Sequence, residues 1–363
     1  MDFLTRINAV LHHQPPDRVP FAPYDNLVPR GEFSRQLGNR GMGLVMRGST
    51  LWEETPHVST EYRRQGDLIQ TVYHTPAGDV FTTARSNLGR LSDSESLAED
   101  GLIKTVKDYE PVICMIEDTL YHRDNSQYDD RRRDLGNDGI FVESAFETPY
   151  NSSRSLFGGN VGFENWIYEQ HDHPDHFARL MQALERREEK RVELIAGSPV
   201  EYLGCGSIDG TWGTVDFTRY ELPTYKKFIP YLQAHGKKCF LHAHASNMSR
   251  FKAIVAEIHA DVIEAFTPPP IGDLSVKEAR AAWGAETVIW VNFPETIFYQ
   301  GAAATRAYTT ELLCSDPPGD RLVIGFTEMG FWGAVTDDLE KIFKAGTTAI
   351  LDAIDEAGIY PIQ

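Results

Sequence analysis

From residue 139 onward, short apolar runs alternate with longer segments whose apolar positions recur every three to four residues, the signature of strands and helices in turn. The runs are "GIFVESAF" (139 to 146), "VEYLGCGSID" (200 to 209), "KCFLHAHA" (238 to 245), "DVIEAFT" (261 to 267), "TVIWVNF" (287 to 293) and "RLVIGFTE" (321 to 328). Between them the periodicity predicts helices over 174–196, 224–235, 248–259, 275–283, 302–314 and 337–357, the last stopped by Gly358. Upstream, a helix over 3–12 ends at a proline pair, "RVPFAPY" reads as a strand, and "GLVMRGS" (43 to 49) as another. Two alternating segments around "TPAGD", between 57 and 86, have the pattern of a β-hairpin inserted beside the main body.

Strands that alternate with helices call for parallel pairing, because a parallel pair needs a long crossover. Six strands after residue 139 and two before it make eight. The expected fold is therefore an α/β protein, a closed (β/α)₈ TIM barrel with an inserted β-hairpin near the N-terminus, forming one domain over 1–363. No GxGxxG follows the first strand and no GxxxxGK[ST] occurs, so the signatures of an open nucleotide-binding sheet are missing.

In a barrel, chemistry gathers where strands end. On the strand "KKCFLHAHAS", positions 242 and 244 share one face, so His242 and His244 point the same way. Such a pair can offer nitrogens to one metal ion; alternatively one imidazole binds substrate and the other holds a loop. Neighbouring strand ends supply acids: Asp209, Glu264 and Glu328, with Glu143 and Glu221 as further candidates. Burial and like charge at such a rim are expected to raise carboxyl pKa values and suit them to acid or base work. His242, Asp209 and Glu264 are the expected catalytic groups, and His242, His244 and Glu328 the expected metal ligands.

The proline-stiffened loops "FTPPPIGD" and "VNFPE" hold Thr267, Asp273, Asn292 and Glu295 at the same rim. Trp212, Phe331 and Trp332 are placed to wall an apolar pocket there, and Asn292, Glu295, Trp212, Trp332 and Arg30 are the expected substrate contacts. A denser histidine cluster, "HDHPDH" (171 to 176), reads instead as a helix start after a long loop, with Pro174 at the first helical position.

Composition narrows the choice of partner. The net charge of −18 and a pI of about 5.1 oppose nucleic acid, anionic membranes and polyanionic ligands. The four cysteines, Cys114, Cys205, Cys239 and Cys314, lie far apart with no CxxC, so neither a zinc ribbon nor a disulfide framework is indicated. No run is long and apolar enough for a membrane span, and Asp2, Arg6 and Asn8 interrupt the region where a secretory signal would lie, so a cytoplasmic location is expected. The sequence leaves the oligomeric state open, a symmetric homodimer being common among soluble enzymes of this size.

With "RINAVLHHQPPDRVPF" at its start and "GKKCFLHAHAS", "DVIEAFTPPPIGDLSVKEAR", "VIWVNFPE" and "RLVIGFTE" in its second half, the chain resembles the uroporphyrinogen decarboxylase superfamily. That resemblance implies a (β/α)₈ barrel with its cleft at the C-terminal strand ends. It offers two activities. The true decarboxylases need no cofactor and bind an eight-carboxylate tetrapyrrole through an arginine-rich "RQAGR"-like segment; here that region reads "APYDNLVPRGEFSRQLGNRG", with Arg30, Arg35 and Arg40 but not the motif. The other branch moves methyl groups to a corrinoid carried by a partner protein, and its thiol-activating members hold zinc with an HxC element. Here HxC is His242-Ala243-His244, a harder donor set suited to polarising an ether oxygen. The expected function is methyl transfer from a small O-methyl or other methylated substrate to a corrinoid protein, with zinc assistance. The alternative is metal-free decarboxylation of a small carboxylic acid, with Arg30 binding the acid.

Overall fold

A computed structural model describes residues 1–86, 96–211, 213–327 and 336–362. The chain divides into two compact units. The first comprises Met1–Thr50, Asn125–Ala145 and Ser198–Gln363, and the second Leu51–Asp124 and Phe146–Gly197. In chain order the strands are β1 (Leu44–Gly48), β2 (Leu51–Glu54), β3 (Ser59–Gln65), β4 (Leu68–Thr75), β5 (Gly78–Ser86), β6 (Ser96–Ala98), β7 (Leu120–Arg123), β8 (Gly139–Phe146), β9 (Tyr202–Ser207), β10 (Lys238–His242), β11 (Val262–Phe266), β12 (Val288–Asn292) and β13 (Leu322–Gly325).

In the first unit a parallel sheet runs β1-β8-β9-β10-β11-β12-β13. The expected eighth strand, "RVPFAPY", is present as a brace rather than a ladder. Phe21 forms single parallel bridges to Met42 and to Ile324, and Tyr24 bridges to Val45. Ala22 N and Tyr24 N donate to the carbonyls of Ile324 and Phe326, while Gly43 N and Val45 N donate to those of Phe21 and Pro23. The segment thus joins the two edges, β1 and β13. Pro20 and Pro23 lack the N–H a continuous ladder requires, so the pairing stays intermittent.

Strands β11, β12 and β13 are buried at every position, as expected of parallel strands covered on both faces. The covering helices follow the periodicity. Asp337–Ala357 starts at Thr336, whose side chain accepts from Leu339 N, carries Asp337, Asp338 and Glu340 in its first turn, and buries Phe343, Ile350 and Ile354. Val276–Trp283 begins with a Ser275/Glu278 capping box. The helix expected over 248–259 is instead a 3₁₀ turn, Met248–Arg250, followed by the short helix Lys252–Ala256.

The second unit holds an antiparallel sheet in the order β3-β4-β5-β6, a two-stranded ribbon β2–β7, and the helices Tyr109–Glu117, Pro149–Leu156, Phe163–Asp172 and Pro174–Ala196. The expected hairpin is the β4–β5 pair, and the fold extends it: β3 joins through a two-residue turn whose first member, Gly66, has φ +61°. The start of the 174–196 helix follows another helix directly rather than a long loop, with His173 between the two and Pro174 opening the second.

No helix among the described residues is long and apolar enough to cross a membrane.

Candidate active site

Strand β10 ends on His242, which lies in register with Glu264 on β11 and Ser207 on β9. The β9–β10 and β11–β12 ladders are irregular here, while β10–β11 between them is regular. Register shifts occur between Phe240 and His242 and between Ile263 and Phe266, and the left-handed residues Gly206 (φ +65°) and Ala265 (φ +59°) sit beside them. Such bulges re-aim side chains at strand ends. At Ala265 the left-handed backbone costs about 1 kcal/mol or more, a strain the surrounding packing must hold.

The bulged strand buries Glu264 completely, and its carboxylate forms an ion pair with Arg47 from β1. Arg47 Nη1 also donates to the Tyr24 hydroxyl at 2.9 Å. That hydroxyl is 3.4 Å from His242 Nδ1, which in turn is 3.5 Å from Glu264 Oε2. Phenol, guanidinium, carboxylate and imidazole therefore form one connected cluster at the ends of β1, β10 and β11 and the proline-rich brace. Gly204 on β9 makes room for it, since a Cβ there would lie 2.2 Å from Arg47 Nη2.

Charge within the cluster is strongly polarised. Burial alone would push the Glu264 carboxyl up, but the Arg47 charge, with hydrogen bonding to His242 and Tyr24, brings it down from 4.5 to about 2. Burial, then the adjacent Glu264 charge, lifts the Tyr24 phenol well above its usual range. Arg47 gains from Glu264 and Tyr24 more than burial takes away, and stays a cation. The expected raising of rim carboxyls by like charge is thus overturned at Glu264, because a cation, not another acid, is its nearest partner. Glu264 Oε1 is buried with no hydrogen-bond partner among the described residues.

The other sequence candidates take varied positions. His244, two residues past the end of β10, lies beside His242 with ring centroids 5.1 Å apart and planes tilted by 53°, so the two imidazoles are neighbours. Asp209 lies in the loop after β9, where its Oδ1 accepts from Thr211 N at 2.8 Å. Asn292 is buried and ties two neighbouring loops together: Nδ2 donates to Thr267 Oγ1 at 3.0 Å and Oδ1 accepts from Thr327 N at 3.0 Å. Glu295 opens the 3₁₀ segment Glu295–Gln300, half-buried. Arg30 is exposed in the loop before the helix Glu32–Asn39. Glu143 is buried within β8, accepting from Thr50 N and Oγ1, and Glu221 is buried in a helical turn. Trp212, Glu328, Phe331 and Trp332 lie outside the described residues.

Sequence reasoning missed Tyr24 and Arg47. The available signal was an arginine inside the apolar strand "GLVMRGS": a guanidinium in a barrel stave needs a carboxylate across the ring.

Of the three expected zinc ligands, His242 and His244 lie side by side and Glu328 falls outside the described residues. No group of three or more His, Cys, Asp or Glu side chains among the described residues is arranged to hold a metal ion. Among the described residues, Glu264 is the carboxylate in contact with His242, and it is already paired with Arg47, whose charge opposes a dication at that point.

Fold and cluster together define a barrel protein with a charged, proton-bearing site at the C-terminal strand ends. No family model matches the chain, and no curated protein does. Among solved structures, a methyltransferase from Methanosarcina mazei superposes with a TM-score of 0.55 at 13% sequence identity, covering 98% of this chain and 99% of that one. At this identity the likeness shows the shared TIM-barrel-like architecture.

Proposed function

We propose that the protein is an enzyme that transfers a methyl group from a small O-methyl, or other methylated, substrate to a corrinoid presented by a partner protein. The observation that carries this reading is the placement of His242 Nδ1 between the Tyr24 hydroxyl and the ionised Glu264, on a scaffold shared with a methyltransferase. The corrinoid, held by the partner and acting as second substrate, supplies the electron pair that takes the methyl group.

This chain's residues handle the other half of the reaction. The bond between oxygen and the methyl carbon breaks, the electron pair stays on oxygen, and His242 delivers the proton that converts the departing alkoxide to an alcohol. Tyr24 and Glu264 orient the imidazole. Arg47 keeps Glu264 ionised, so the carboxylate neither consumes the proton nor leaves its position. The 3.4 and 3.5 Å separations are long for hydrogen bonds, and catalytic contacts of this kind tighten when substrate binds.

The test uses free cob(I)alamin as acceptor and a series of methyl ethers graded by the acidity of the alcohol released. His242→Gln is expected to lower turnover by about 10²–10⁴-fold on ethers of weakly acidic alcohols and much less on aryl ethers, which leave unaided. A loss equal for all ethers, or no loss, overturns the role of His242. The second reading, decarboxylation, draws on the same Tyr24–His242 pair, which would protonate a carbanion. Release of carbon dioxide from a carboxylic acid with no methyl acceptor present favours it over methyl transfer.

A further inference from the structure

Strand β3 is a seven-residue edge of the antiparallel sheet, and every one of its residues, Ser59 to Gln65, is exposed. Edge strands are ordinarily shortened, bulged, or broken by proline, because their free N–H and C=O groups recruit other strands. β3 is neither short, bulged nor broken by proline, since its register against β4 runs unbroken from Ser59↔His74 to Gln65↔Leu68; its one guard is charge, in Glu61, Arg63 and Arg64, and the mixed signs make that guard self-complementary. Tyr62, at its centre, is 74% exposed. We propose that β3 pairs antiparallel with β3 of a second copy of this chain about a twofold axis at Tyr62, joining two four-stranded sheets into one of eight.

Two independent features select that partner and that register. The first is hydrogen-bond phase. The two-residue turn at Gly66–Asp67 makes Gln65 and Leu68 a hydrogen-bonded pair, so Ser59, Glu61, Arg63 and Gln65 spend their backbone groups on β4. The outward-pointing groups belong to Thr60, Tyr62 and Arg64. An axis through Tyr62 matches Tyr62 with its own copy and Thr60 with Arg64 of the copy, so all the outward groups find partners.

The second is charge. The same axis sets Glu61 opposite Arg63 of the copy, and Arg63 opposite Glu61, in the closely spaced non-hydrogen-bonded positions where cross-strand side chains interact most strongly. Within one chain these residues already form a pair, Arg63 Nη2 to Glu61 Oε2 at 2.8 Å, so both side chains lie on the same face of the sheet, ready to exchange partners. A shift of the register by one residue, which moves the axis by half a residue, would lose the phase. A shift of the register by two, which moves the axis to residue 61 or 63, would place Glu61 or Arg63 against its own copy, like charge on like. The stacked Tyr62 pair supplies the apolar contact.

A strand-edge contact is smaller than a standard interface, so the dimer is expected to be concentration-dependent in the micromolar range. Sedimentation velocity over a micromolar concentration series on the full chain reads it. E61R and R63E singly set like charges across the axis and are expected to weaken dimerisation at least tenfold, while the double variant E61R/R63E restores it. Under oxidation, Tyr62→Cys is expected to form a covalent dimer, because hydrogen-bonded antiparallel partners sit about 5.5 Å apart at Cα, within disulfide reach. Thr60→Cys, off the axis, does not. A wild-type monomer throughout the series, a dimer indifferent to both charge reversals, or equal crosslinking at positions 60 and 62 overturns the proposal.

Discussion

Replacing Arg47 by methionine keeps most of the side-chain volume and removes only the charge that Glu264 depends on. In the wild type, the fall of the Glu264 carboxyl from 4.5 to about 2 on folding corresponds to about 3 kcal/mol of stability. Because the folded-state value is the lower one, that contribution is complete above the carboxyl's unfolded value and is lost as pH falls from about 4.5 to about 2. In R47M the same carboxylate is left fully buried with only the His242 imidazole and the Tyr24 hydroxyl to stabilise it, and breaking a buried pair from one side costs about 3–5 kcal/mol. Burial then raises the folded-state value above the unfolded one, and the sign reverses: the Glu264 contribution in R47M becomes less unfavourable as pH falls from neutrality toward 4.5, a window in which its contribution in the wild type is constant, so R47M gains stability relative to the wild type.

Urea midpoints followed by tryptophan fluorescence, at neutral and mildly acidic pH, measure both effects. The R47M/E264Q double variant, with no buried charge left to strand, is expected to recover most of the loss. Additivity of the two single substitutions within about 0.5 kcal/mol would show that the residues do not act as a pair and would refute the electrostatic account of the site.

Two further substitutions probe the geometry around the cluster. Gly204→Ala forces the Arg47 guanidinium aside and is expected to reproduce the acid-side behaviour of R47M in the same urea titration, with a smaller loss because the charge is displaced rather than deleted. At Ala265, glycine relieves the left-handed backbone and is expected to leave stability unchanged or raise it by up to about 1 kcal/mol, whereas valine lowers it by more than that; thermal melts of the two variants read the difference.

Much of this molecule follows from local pattern. The alternation of short apolar runs with helical periods determines the parallel sheet, since β11 to β13 can be apolar at every position only if both faces are covered. The two-residue spacing of His242 and His244 in an apolar run pointed to neighbouring imidazoles, and they are neighbours although β10 ends at His242. The apolar run "RVPFAPY" reads along the chain as a strand; that it braces both edges of the sheet with intermittent pairing, Phe21 bridging Met42 and Ile324, belongs to the tertiary structure. What tertiary structure alone decided is which charges meet. Arg47 and Glu264 stand 217 residues apart, on strands whose separation around the sheet no local pattern encodes, yet their contact sets the protonation state of the site. Backbone periodicity is a short-range property and can be read along the chain; an electrostatic environment is a sum over neighbours in space and exists only after the chain has closed on itself.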